Sequence, residues 1–197
     1  MRRKVFDLLA SIGGVAVVLM LLIAGGLSMW GYSFADSSVH SQLAQQQIAF
    51  PAKGSADLAS PKIGPYLDRY AGQQLTTGPQ AKAYADHYIA VHLSEMPYGG
   101  VYSQVSSASR AAPNNAALTA EVQTSFQGTT LRGLLLEAYA FSVFATLALW
   151  AAIASFALAL LFAVLVGLGI RHARRVPDSA ELLTHHVVPV GPEPSAV

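Results

Sequence analysis

No cysteine occurs in the chain, which excludes disulfides, thiolate zinc sites and cysteine nucleophiles together. Charge is nearly as scarce. Only 12% of the 197 residues are Asp, Glu, Lys or Arg, the formal net charge is +1, and 53% are hydrophobic. That balance lacks the basic field of a nucleic-acid-binding protein, and it is the composition of a small integral membrane protein. Period-two alternation is never sustained, so no sheet is expected. Phosphate loops, nucleophile elbows and zinc-protease motifs are absent too, leaving no catalytic or cofactor-binding residue to assign and no cofactor to expect.

What the chain does have is uninterrupted apolar length. Ala138–Ile170 carries no charge between Glu137 and Arg171. As a helix it would reach about 50 Å at about 1.5 Å per residue, against a hydrocarbon core of about 30 Å. Leu8–Ala35 is a second charge-free run, preceded by Arg2, Arg3, Lys4 and Asp7. A basic start and the small-x-small pattern Ser33-Phe34-Ala35 also suit a cleaved signal peptide. The run is about twice the usual length of a signal core of 7–15 residues, however, so a retained anchor is expected. Basic residues flank the outer ends of both runs, Arg2, Arg3 and Lys4 on one and Arg171, Arg174 and Arg175 on the other. The positive-inside rule then places both termini in the cytoplasm and the region between the runs outside the cell membrane.

The chain divides accordingly into residues 1–35, the cytoplasmic start and first span, residues 36–136, an extracytoplasmic helical region, residues 137–171, the second transmembrane helix, and residues 172–197, a disordered cytoplasmic tail rich in proline. The expected fold is an all-α membrane protein with two long antiparallel transmembrane helices extending above the bilayer and a short-helix extracytoplasmic insertion. The first helix extends to about Ile48, or breaks at Asp36-Ser37-Ser38, whose side chains compete for backbone hydrogen bonds. Phe50–Gly78 is dense in Pro and Gly and reads as a strap with at most one turn, near Tyr66–Tyr70. Thr77 suits an N-cap for a helix reaching Met96-Pro97. Shorter helices are expected over Val101–Arg110 and Asn115–Phe126, with Gly128 resetting the chain before Thr129 or Thr130 caps the long second helix.

Three stretches of this middle region, Tyr70-Ala71-Gly72-Gln73-Gln74, Thr76 through His87, and Thr130-Leu131-Arg132-Gly133-Leu134-Leu135-Leu136, resemble a group of small actinobacterial two-span membrane proteins of unknown function. The resemblance extends over roughly residues 5 to 170. It implies a two-span topology and a bacterial host. Members are sometimes labelled automatically as aromatic ring-opening dioxygenases, but the resemblance supplies no catalytic residue.

Non-haem iron would need two imidazoles and a carboxylate around one ion. The nearest candidates are His87, His92 and Glu95, with Asp86 beside them. On a regular helix His87 and His92 stand about 140° apart, and a local hydrogen-bonding pair or a solvated face is the usual explanation of His92 with Glu95, so no metal is expected. His185-His186 lies in the tail, where no built site is expected. Tyr66, Tyr70, Tyr84, Tyr88, Tyr98 and Tyr102 suit packing or stacking on a sugar or lipid headgroup, and Trp30 with Tyr32 suits an interfacial belt. Within the second span Ala151, Ser155, Ala159, Ala163 and Gly167 recur at every fourth residue, a ridge that permits close helix packing. The expected function is a non-enzymatic structural or accessory role in the lipid bilayer, contacting a larger membrane or envelope partner or a second copy through the extracytoplasmic helices. The alternative is an extracytoplasmic sensor or enzyme using the tyrosines with His87, His92 and Glu95. No nucleic-acid partner is expected.

Overall fold

The computed structural model describes residues 3–175, and they are overwhelmingly helical. Of the expected features, the tail from residue 176 onward, including His185-His186, lies outside the described residues. The elements run α1 (Arg3–Gln45), α2 (Ala56–Ala59), α3 (Gly64–Leu67) with a 3-10 turn at Asp68–Tyr70, α4 (Gly78–Tyr84), a π-helical turn at Ala85–Ile89, α5 (Ala90–Ser94), a turn at Pro97–Gly100, α6 (Tyr102–Ala111) and α7 (Ala116–Ala173). Among the described residues there is no strand, only an isolated bridge between Ala49 and Gln74. Helices α1 and α7 are each long and apolar enough to cross a membrane. The chain packs as two compact units, one made of α1 up to Gly26 with α7 from Ala152, the other of Leu27–Ala151.

In the first unit the two helices touch through small residues. A Cβ added to Gly14 would lie 2.4 Å from Val166 Cγ2, and one added to Gly25 would lie 2.8 Å from Phe156 Cε1. Along α1 the covered positions are Asp7, Ser11, Gly14, Val18, Leu21 and Gly25; along α7 they are Ala152, Ser155, Ala159, Phe162, Val166 and Gly169. Steps of three and four alternate almost throughout, so the repeat is close to 3.5 residues, the period of knobs-into-holes packing. The expected ridge only partly coincides with this seam. Ser155 and Ala159 lie on the covered seam, whereas Ala151, Ala163 and Gly167 are exposed, and a Cβ on Gly167 would meet nothing within 4 Å. A strict four-residue step overruns the helical repeat by about 40° each time, so such a ridge spirals off the contact face.

In the second unit α1 continues through Asp36-Ser37-Ser38 without a break and ends at Gln45. Gln47 then adopts positive φ, 54°, and turns the chain. The following segment is tied to its return by three backbone hydrogen bonds, Phe50 N–H to Gln73 O (2.9 Å), Gly72 N–H to Pro51 O (3.0 Å) and Leu75 N–H to Ile48 O (2.8 Å). It is also more helical than expected. Pro65 occupies the first turn of α3, where its missing N–H is no loss and its φ is already helical. A core of Val39, Leu43, Phe50, Ile63, Leu67, Leu75, Ala81, Ala83, Ala85, Ile89 and Leu135 joins α1, the strap, the α4–α5 stretch and α7. The middle residues thus bury their apolar faces against the long helices.

Thr77 caps α4 as expected: its Oγ1 accepts from Gln80 N–H at 3.4 Å, and Gln80 Oε1 accepts from Thr77 N–H at 3.1 Å, a reciprocal capping box. Gly128 does not reset the chain. Helix α7 is continuous from Ala116, so residues 116–136 belong to the same helix as the second apolar run. Asn115, whose Oδ1 accepts from Leu118 N–H at 3.2 Å, sits at its start. Gly128 serves close packing instead, since a Cβ there would lie 2.8 Å from Leu93 Cδ2.

Candidate functional site

Within Leu27–Ala151 the chemistry gathers around the π-helical turn. Here Ala90 N–H bonds to Ala85 O, one residue further back than in an α-helix, and such insertions re-aim side chains. Arg132, reaching over from α7, binds this turn. Its Nε donates to Ala85 O at 3.3 Å and its Nη2 to Asp86 Oδ1 at 3.0 Å. Lys82 Nζ donates to Asp86 Oδ2, so one carboxylate joins two cations. The hydrogen bond from Lys82, with that from Arg132, holds the Asp86 carboxyl below its usual range despite partial burial. Lys82 is correspondingly raised by its hydrogen bond to Asp86.

One face of this turn carries an aromatic ladder. Phe50 meets Tyr70 and Tyr84 at centroid distances of 5.1 and 5.5 Å, Tyr84 meets Tyr88 at 4.7 Å, and Tyr88 meets His92 at 4.4 Å. Tyr88 Oη donates to Asp57 Oδ2 at 3.0 Å. Burial, reinforced by Asp57, pushes the Tyr88 phenol up to about 12, and burial raises Tyr84 as well.

His87 points elsewhere and stacks on Tyr66, with centroids 3.6 Å apart and planes within 3°. This pair lines a cleft of about 420 Å³ with Pro65, Arg69, Pro79, Lys82, Ala83 and Tyr139. Arg69 Cζ lies 4.6 Å above the ring of Tyr70, and Lys82 Nζ lies 5.4 Å above that of Tyr139. A smaller cleft of about 280 Å³ is lined by hydroxyls, among them Thr76, Thr77, Ser142 and Thr146, with Asp36 and His40. A third depression, about 460 Å³, is apolar. Phe34, Val39, Leu43, Leu134, Leu135 and Phe141 line it, together with Gln42, Gln46 and Glu137.

The residues considered for a metal are not brought together. His87 is in the stack with Tyr66, His92 Nδ1 donates to Tyr88 O at 2.8 Å, and Glu95 pairs with Lys62 at 3.7 Å on the surface. Among the described residues no three His, Asp or Glu side chains are placed to hold one ion. The residues that sequence reasoning passed over are Arg69, Lys82, Arg132 and Tyr139. Arg132 did leave a signal, being the lone basic residue of α7 before Arg171, and a cation so isolated needs a partner from another element. The stretches 70–74, 76–87 and 130–136 meet at this place: Gln80 Nε2 donates to Gln73 Oε1 at 3.1 Å, and Arg132 clamps Asp86. Compared with family models, curated proteins and solved structures, the chain finds no match.

Proposed function

We propose that this chain is a two-span cell-membrane protein with antiparallel spans, cytoplasmic termini and an extracytoplasmic cap, and that it acts without catalysis by docking onto a larger membrane protein. Insertion is supported by how little of the apolar surface the chain itself covers. Only 11% of the most apolar window of α1 and 6% of that of α7 is buried, and a core helix of a soluble protein would be buried almost throughout. Antiparallel spans are supported by the contacts Ser11 with Gly169, Gly14 with Val166 and Gly25 with Phe156, in which one number rises as the other falls. Retention of the first span is supported by Ser33-Phe34-Ala35 lying inside an unbroken helix, whereas cleavage favours exposed irregular segments. From the exposed Trp150 to Arg171 α7 rises about 32 Å, close to the hydrocarbon thickness of about 30 Å. The parts of α1 and α7 beyond the tryptophans then stand in water.

The observation that carries the docking role is the apolar groove on those parts. Phe34 is 62% exposed, Leu134 58% and Phe141 51%, and together they line one depression. A contiguous apolar surface of this kind marks a partner site, and Gln42, Gln46 and Glu137 in its lining offer polar contacts beside the apolar ones. The occupant best suited to a groove between two helices is an amphipathic helix of the partner. A photocrosslinking residue at Phe141 of the full-length protein in native membranes tests this. One discrete protein adduct, lost when Leu134→Glu is added, is expected. Adducts with lipid alone overturn it.

A further inference from the structure

We propose that the cleft between Tyr66 and Tyr139 binds a sugar phosphate, held by ring stacking at its sugar and by Lys82 and Arg69 at its phosphate. The site is distinct from the apolar groove, and its occupancy does not depend on the docking role.

Three observations converge. The first is an aromatic wall: Tyr66 and His87 stack at 3.6 Å with the rings within 3° of parallel, and this pair and Tyr139 line the same cleft. Rings with one polar edge offer a flat apolar face together with a hydroxyl for hydrogen bonding, which suits a pyranose with its C–H face and its hydroxyl edge. The second is charge of one sign: Arg69 and Lys82 both line the cleft and no carboxylate does, while Asp86, which Lys82 binds, is shared with Arg132. Arg132 and Lys82 share that carboxylate, so neither is fully neutralised by it, and Lys82 and Arg69 are the two cations on the cleft itself. An ammonium and a guanidinium lining one cleft are donors suited to phosphate oxygens. The third is size. A space of about 420 Å³ lies within the range of about 300–1,000 Å³ typical of small-ligand sites, room for a monosaccharide and its phosphate together and more than a bare anion needs. Neither half of the ligand accounts for the lining alone: a neutral sugar leaves the cations unused, and an inorganic anion leaves the stacked wall unused.

The same chemistry reaches this side of a membrane from two sources, a free glycosyl phosphate and the phosphorylated ring of a lipid headgroup. The test uses the full-length protein in phosphatidylcholine nanodiscs, titrated calorimetrically with glucose 1-phosphate, glucose and inorganic phosphate. Glucose 1-phosphate is expected to bind at least about tenfold more tightly than either of the others. Tyr66→Ala and Lys82→Gln should each lose that advantage, and Lys82→Arg should keep most of it. Thermal unfolding of each variant separates a lost site from a lost fold, because Arg132 still holds Asp86 when Lys82 is replaced. Repeating the titration in nanodiscs containing phosphatidylinositol distinguishes the sources. A weakened apparent affinity assigns the cleft to a lipid headgroup, an unchanged one assigns it to the free compound, and both keep the proposed chemistry. Equal affinity for glucose 1-phosphate and inorganic phosphate, absence of binding, or binding that folded Tyr66→Ala and Lys82→Gln variants retain would overturn it.

Discussion

Replacing Gly78 with alanine should unseat the α4–α5 stretch from α7, although alanine is the better helix former. A Cβ at Gly78 would lie 1.9 Å from Ser142 Oγ, 2.3 Å from Ser142 Cβ and 3.4 Å from Tyr139 Cα. Rotating the serine hydroxyl relieves the first contact only. The second is fixed by the backbone of α7, so α4 must retreat by roughly 1 Å to restore an ordinary separation, and that movement opens the buried contacts of Ala81, Ala83 and Ala85. Overpacking of this kind costs about 1–3 kcal/mol, whereas the helix propensity gained from Gly to Ala is at most about 1 kcal/mol and smaller still in a first turn. The clash therefore wins, and a net loss of about 1–2 kcal/mol is expected. The assay is denaturant unfolding of the purified full-length protein in detergent, followed by tyrosine near-ultraviolet signal from the aromatic ladder. Ser142→Gly removes the obstructing Cβ, so the double variant Gly78→Ala/Ser142→Gly should recover most of the loss, a coupling measurable as a double-mutant cycle. Ser142→Ala should not rescue, because its Cβ stays where it was. If Gly78→Ala is neutral or stabilising, or if Ser142→Ala rescues as well as Ser142→Gly, the packing of α4 on α7 is not as described.

Other consequences are open to measurement. Ala159, 2% exposed, sits on the α7 seam, so Ala159→Leu should weaken association of the spans by about 1–3 kcal/mol, while Ala163→Leu on the exposed side should be nearly silent; a detergent titration monitored by crosslinking compares them. Asp86 has its folded pKa depressed by Lys82 and Arg132, so its contribution is fully present above the unfolded carboxylate value and is lost as pH falls through the folded one. Acid unfolding should consequently shift toward higher pH in Arg132→Gln. Tyr88 titrates near 12 rather than its ordinary 10. Its contribution is complete below pH 10 and disappears between there and about 12, so Tyr88→Phe should flatten the alkaline fall in stability across that window.

The long helices were legible because lipid-compatible length is written in composition alone: an absence of charge from Ala138 to Ile170 needs no knowledge of neighbours. The Thr77 cap was legible for a similar reason, since Thr77 and Gln80 satisfy one another within a single turn. What was hidden depended on distant partners. Gly128 looked like a break until Leu93 was seen resting on it, and Pro65 looked like a strap residue until Ile63 and Leu67 were seen in the core beside it. The four-residue spacing shows small residues without showing which of them the helix turns onto the seam with α1. For the site, the tyrosines and His87 were visible as residue types. The placing of His87 with Tyr66 and of Tyr88 with Tyr84 occurs within the π-helical turn Ala85–Ile89, whose Arg132 anchor lies 47 residues further along the chain.

The central claim, two spans with a cap outside and both ends inside, is tested most directly by thiol labelling. Because the chain has no cysteine, a single introduced thiol is a unique label. Ser103 is exposed on α6, and Ala173 ends α7. In intact cells a membrane-impermeant maleimide should label Ser103→Cys and leave Ala173→Cys untouched until the membrane is permeabilised. Labelling of Ala173→Cys in intact cells, or protection of Ser103→Cys until permeabilisation, would contradict the topology on which the account rests.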